Sequence, residues 1–345
     1  MDVVARRWFL TPSLDLLFVC GGMVWILAGL TGLMLGLGYS YQNSATFTIF
    51  LLVSVNLLAN SHTMATFVRL YHSSANRQSY FEYGFLLILP VLGLTWIGAR
   101  SETMAALFVR LYGILVGWHY ARQVYGLCLL YGLKQGYQIP EVVRLSWQLL
   151  VWAVSLKVAV TRMIYPDTLA RVLNISALPT PILPFEVFTV AKVFLILVAA
   201  ACVVLIFWFG IKRAEWPPLP AVVLLSSMTL FFLSEGLLDS ILWYFIPAFF
   251  HGSQYIAVSG VFHMNESGAR NIQGVSLSRI VTYLLALVGG GILIYYGIPY
   301  FMGWIGFEQR IALAAVFCVV NFHHFLTDGA IWRLRTFSIR KWAVG

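Results

Sequence analysis

Apolar residues in this chain fall in long continuous runs separated by short polar stretches. That pattern is neither the alternation of a half-buried strand nor the single stripe of a surface helix. Runs of about 20 residues match the thickness of a bilayer's hydrocarbon core. They predict an all-α, polytopic integral membrane helical bundle of about ten transmembrane helices. The spans are expected near 14–37, 46–70, 82–99, 104–131, 145–164, 187–210, 219–240, 243–264, 278–298 and 309–332. Connecting stretches are short, so residues 1–345 are expected to form a single transmembrane domain. A transmembrane barrel would instead alternate apolar and polar residues in short segments.

Proline punctuates the layout. Pro179-Thr180-Pro181-Ile182-Leu183-Pro184 and Pro217-Pro218-Leu219-Pro220 precede the sixth and seventh runs, where a helix cannot continue inward. Between the seventh and eighth runs Asp239-Ser240 offers only a minimal turn, and Pro247 can instead kink one continuous segment. The first run follows Arg6 and Arg7, and at 24 residues (14–37) it is long enough to span, so no cleavable signal peptide is expected.

Charge gives this layout an orientation. With the N-terminus in the cytoplasm, the inner segments carry Arg6/Arg7, Arg69/Arg77, Lys134/Arg144, Lys212/Arg213, Arg270/Arg279 and Arg333/Arg335/Arg340/Lys341. The outer segments hold little beyond Arg100 and Arg171. This is the positive-inside bias, and it places both termini in the cytoplasm. Composition agrees: 60% of residues are hydrophobic and 10% charged, against about 25% charged in soluble domains. The net charge of +9 therefore reads as orientation and attraction to membrane lipids, not as a nucleic-acid surface. Cys20, Cys128, Cys202 and Cys318 lie within apolar runs without metal-type spacing and read as packing residues.

The candidate chemistry lies in seven histidines: His62, His72, His119, His251, His263, His323 and His324. They fall on the second, fourth, eighth and tenth runs, which all descend from outside to inside. Counting back from the inner ends at about 1.5 Å per residue puts His62 and His323/His324 about 12–13 Å deep, and His119 and His251 about 18–19 Å deep. His72 and His263 come near the inner interface. A single membrane histidine can simply bond helix to helix. Ionisable groups on four spans at overlapping depths point to a ligand shell, because such groups face a site rather than lipid. Neutral imidazole suits Fe, Zn and Cu.

His62 and His72 lie about 15 Å apart along one helix, and His251 and His263 about 18 Å, so neither pair can share an ion. The expected grouping takes one residue per helix: His62, His119, His251 and one or both of His323/His324. A shallower group would join His72 and His263 with Asp328, one turn beyond His324. Around them stand Arg122, Gln123, Tyr120 and Tyr125 near His119, and Gln254 and Tyr255 near His251. In this reading Arg122 and Asp328 orient ligands or tune charge, and Tyr120, Tyr125 or Tyr255 donates protons. A buried Arg122 would seek a carboxylate, with Glu235, Asp239 and Asp328 as candidates. For Arg122, Gln123 and Gln254, plain interhelical hydrogen bonding is the competing reading.

Iron held by several imidazoles, with a coordination position left open, activates dioxygen. The set His62…His72, His119, His251…His263 and His323-His324 resembles the histidine-rich membrane non-haem iron oxygenases, comprising fatty-acid hydroxylases, desaturases and alkane hydroxylases. It is also similar to the bacterial membrane β-carotene dioxygenases. The resemblance covers histidine number, helical placement and size. It implies non-haem iron (one or two ions), a lipid-soluble substrate in lipid metabolism, an electron-donor protein and a bacterial inner membrane. The chain has one doublet, His323-His324, and no His-x-x-His or His-x-x-x-His, which favours a mononuclear centre over the clustered boxes of a diiron site. Other classes stay open on sequence: a haem clamped by His62/His119 or His251/His324, a proton- or metal-coupled transporter using Glu235, Asp239 and Arg122, and a scaffold with structural histidines.

Overall fold

The computed structural model describes residues 7–37, 53–72, 74–165, 168–234, 241–266 and 276–332. Arg6, Glu235, Asp239, Ser240, Arg270, Arg333, Arg335, Arg340 and Lys341, which carry several expectations above, lie outside them. The principal helices are α1 (Gly22–Gly36), α2 (Ser61–Tyr71), α3 (Ile88–Ala99), α4 (Glu102–Gln135), α5 (Glu141–Ile164), α6 (Phe185–Arg213), α7 (Leu219–Ser234), α8 (Ile241–Glu266), α9 (Leu277–Ile292), α10 (Ile298–Trp304) and α11 (Gln309–Ile331). No strand occurs among the described residues. Among the described residues, six helical stretches are long and apolar enough to cross a membrane, which marks the chain as an integral membrane protein: Glu82–Ala99, Glu102–Gln135, Glu141–Ile164, Phe185–Arg213, Leu277–Trp304 and Gln309–Ile331. A seventh forms if Pro12–Val19 and Gly22–Leu30, bent by 55°, make one broken span. Of the other expected spans, α7 is short at 16 residues, and 46–70 is described from residue 53 onward, where it is helical.

The chain divides into two units, residues 1–84 with 239–297, and residues 85–238 with 298–345. In the first, the break after Val19 is built locally. Thr11 caps the opening turn by accepting from the Leu14 N–H, and the buried Asp15 carboxylate accepts from the N–H groups of Phe9 (2.8 Å) and Leu10 (2.9 Å). Asp15–Val19 then form a π-helical turn, and Gly21 takes φ 99°, which an L side chain rarely adopts. The interrupted ladder frees carbonyls. Phe18 and Val19 accept there from Ser253 Oγ (2.9 Å) and Gln254 Nε2 (2.7 Å) of α8.

A second π segment, Val55–Asn60, runs directly into α2. Helix α8 lies against it at Gly252, where a β-carbon would sit 2.7 Å from the Leu58 carbonyl oxygen. Helix α9 closes on α2 in the same way, since a β-carbon on Gly290 would meet the Met64 sulfur at 2.6 Å. Small residues let membrane helices approach closely where no water-driven force holds them. Tyr295 donates to Thr63 Oγ1 (3.1 Å), and Thr66 and Tyr255 share a 2.8 Å hydrogen bond. Pro247 sits inside α8, which runs through it from Ile241; the junction of the seventh and eighth runs, 235–240, lies outside the described residues.

The second unit is built on α4, whose 34 residues run from the Ser101 N-cap to the left-handed C-cap Gly136 (φ 70°). Its partner α5 packs close because Gly117 admits Val158 and Gly113 admits the stem of Arg162. Helix α11 buries a face of small residues, Ala312, Ala314, Ala315 and Cys318. Glu102, at the start of α4, binds Arg310 near the start of α11 (2.7 Å) and accepts from the Ser176 backbone (2.7 Å).

Candidate metal centre

Two imidazole pairs are the principal finding. In the first unit, His62 on α2 and His251 on α8 are buried, with ring centroids 4.7 Å apart and planes at 86°. The contact follows from the packing just described. Gly252 lets α8 meet the π segment that delivers His62, and Ser253 and Gln254 anchor α8 beside His251. In the second unit, His119 on α4 and His324 on α11 are buried, with centroids 4.8 Å apart and planes at 72°. Phe325 stacks on His119 at 4.2 Å and holds its ring. Within each pair the ligand nitrogens come within 4.8 Å of one another.

The spacing can be compared with coordination geometry. A ligating nitrogen lies about 2.0–2.1 Å from a transition metal, which puts each ring centroid about 3.2 Å from the ion. Two such rings at 90–110° about one ion have centroids about 4.5–5.2 Å apart. Both pairs fall in this range. Two axial ligands of one haem, on opposite faces of the iron, would have centroids about 6 Å apart. Neither pair is so spaced. An ordinary edge-to-face aromatic contact also spans about 4.5–7 Å, so burial and donor type carry the distinction. All four histidines are 5% exposed or less, so each pair offers two buried imidazoles to a metal ion. All-imidazole donors suit Fe, Zn, Cu or Ni rather than Mg or Ca.

Asp328 stands beside the second pair. Its Oδ2 lies 3.6 Å from His324 Nε2 and 4.0 Å from His119 Nε2. Within its own unit, then, it accompanies the deep histidines, whereas the sequence grouped it with the shallow ones. His72 and His263 do come together in the first unit, with centroids 4.4 Å apart, but His72 is exposed and His263 half-buried, stacked on Tyr283 at 4.7 Å. His323 is buried next to His324.

The remaining candidates are dispersed. Arg122 is exposed, which corrects the expectation of a buried arginine, and its guanidinium lies over the Trp118 ring one turn back (5.5 Å); of its candidate carboxylates, Glu235 and Asp239 lie outside the described residues. Tyr125 and Gln123 are half-buried. Tyr255 lies 5.8 Å from His62 between ring centroids and bonds Thr66. Gln254 serves the backbone of the broken first span. Arg69, expected in a cytoplasmic segment, is buried with its guanidinium 3.9 Å over the Phe262 ring.

Sequence reading passed over three buried ionisable groups. Asp15 caps the chain as above. Lys157 is buried in the middle of α5 and approaches the Phe188 ring at 5.6 Å, and Arg110 donates to the Leu178 carbonyl at 3.2 Å. The signal was present, since a lone Lys or Arg inside a span is a site candidate by default. Comparison of the chain with protein-family models, with curated proteins and with solved structures finds no match.

Proposed function

We propose that the buried imidazole pairs, His62 with His251 and His119 with His324, bind transition metal, and that the chain is a membrane-embedded, non-haem iron oxygenase, hydroxylase or desaturase acting on a lipid-soluble substrate. The observation that carries this reading is the occurrence of two buried imidazole pairs, each at the spacing of neighbouring ligands on one ion. Iron bound to imidazoles with an open position supplies oxygen activation. The chain's own part is to fix the imidazoles on packed helices and to surround them with apolar and aromatic side chains that exclude water. Phe325 on His119 and Tyr255 near His62 are such neighbours. Water exclusion suits an apolar substrate and prevents side reactions of a bound oxidant.

The same proposal includes about ten spans with both termini cytoplasmic, a bacterial inner-membrane location, and a cytoplasmic electron-donor protein. The resemblance to histidine-rich membrane oxygenases supports it through histidine number and helical placement. Protein purified without chelators is expected to contain iron, to lack a Soret band, and to consume dioxygen under reductant only when an apolar substrate is supplied. A Soret band at one haem per chain would replace this function with electron transfer.

A further inference from the structure

The relation of Asp328 to the second imidazole pair has the form of a coordination edge rather than a hydrogen bond. Its Oδ2 stands 3.6 Å from His324 Nε2 and 4.0 Å from His119 Nε2. A charge-assisted N–H···O bond closes to about 2.7–2.9 Å, and a contact at 3.6 Å is no hydrogen bond. Three donors each about 2.0–2.2 Å from a common ion are separated by about 3–4.2 Å, depending on the angle between them. Both distances fall in that interval, and they involve the same carboxylate oxygen.

The helix makes the arrangement possible. Asp328 is four residues after His324 on α11, so the two side chains rise from neighbouring turns of one face. His119 reaches the same oxygen from α4. The Asp328 side chain is only 10% exposed, beside the buried rings of His119 and His324.

We infer that Asp328 is a ligand of the proposed ion, binding through Oδ2 beside His119 and His324. His119, His324 and Asp328 then give the second unit two imidazoles and one carboxylate, a donor set that leaves positions open for a reactant. An anionic oxygen donor favours iron over copper among the metals that imidazole accepts. This inference rests on the reading of the buried histidines as metal ligands and adds a carboxylate to them.

Cobalt(II) is the probe, because its visible ligand-field bands report coordination number. The purified full chain, depleted of metal and reloaded with cobalt, is compared with Asp328→Asn and Asp328→Glu. Asp328→Asn is expected to weaken cobalt binding, measured against a competing chelator, by about 10–100-fold, the range in which supporting carboxylates already act. Its bands should shift and intensify as the coordination number falls. Asp328→Glu, which keeps a carboxylate, is expected to retain cobalt with bands displaced from wild type. It serves as the deciding variant where Asp328→Asn does not accumulate. Unchanged bands and affinity in both variants overturn Asp328 as a ligand and leave the four histidines standing. Failure of the wild-type chain to bind cobalt or iron removes the histidine centre and this inference together.

Discussion

Replacing His119 or His251 by alanine is expected to empty the centre. Each is buried, and each supplies one half of an imidazole pair. Losing a direct ligand should cost more than the about 10–100-fold in affinity that outer partners of a metal site are worth. Metal per chain, measured by elemental analysis after purification, should fall from about one ion to a small fraction. His62→Ala and His324→Ala should behave alike. His72→Ala should keep most of the metal, because His72 is exposed and meets His263 rather than the buried pairs. Equal metal in the His72, His119 and His251 variants would dissolve the grouping.

The second large effect is expected at a residue with no chemistry of its own. Gly252 stands next to His251, where α8 meets the Val55–Asn60 π segment. A β-carbon there would lie 2.7 Å from the Leu58 carbonyl oxygen and 2.9 Å from its carbon, both backbone atoms that cannot swing aside. Gly252→Ala therefore forces α8 away from the segment that leads into α2 and His62. Overpacking of this kind costs about 1–3 kcal/mol. The thermal midpoint of the purified protein should fall and its metal should be lost. Gly126→Ala on α4 is the control, since a β-carbon there meets no neighbouring atom within 4 Å. Normal stability and metal content in Gly252→Ala would show that the close approach does not position His251.

How much of this was legible in the sequence follows from what hydrophobic runs encode. The run at 187–210 reappears as Phe185–Arg213 and that at 145–164 as Glu141–Ile164, because continuous apolar composition and flanking charge or proline fix such ends. The π segments and the 55° bend were not legible. They change backbone register without changing apolar character, and only Gly21 hints at the second. Four of the seven histidines, His62, His119, His251 and His324, lie in buried pairs, but depth counting ranked them differently. It set His119 level with His251, whereas within the units His251 meets His62 and His119 meets His324. Counting residues from a helix end ignores tilt and the extra residue in each π turn. Arg122 misled for a simpler reason. Its position inside a span is readable, but the side it presents depends on packing, and Trp118 one turn back offers it an aromatic face.

The imidazole pairs also explain why polar residues accumulate around α2 and α8. Thr63, Thr66, Ser253 and Gln254 are buried there, and each has a partner in Tyr295, Tyr255 or the broken first span. In a bilayer such bonds fix helices against rotation, and a metal centre needs that constancy, because a misplaced ligand is a lost ligand.

X-ray absorption at the metal edge of the purified, chelator-free protein tests the central claim most directly, since it counts the atoms around the ion. The account requires a transition metal whose scattering includes at least two imidazole rings bound through nitrogen. A spectrum with one imidazole or none, or a protein that holds no metal at all, would reduce the four buried histidines to aromatic packing between membrane helices.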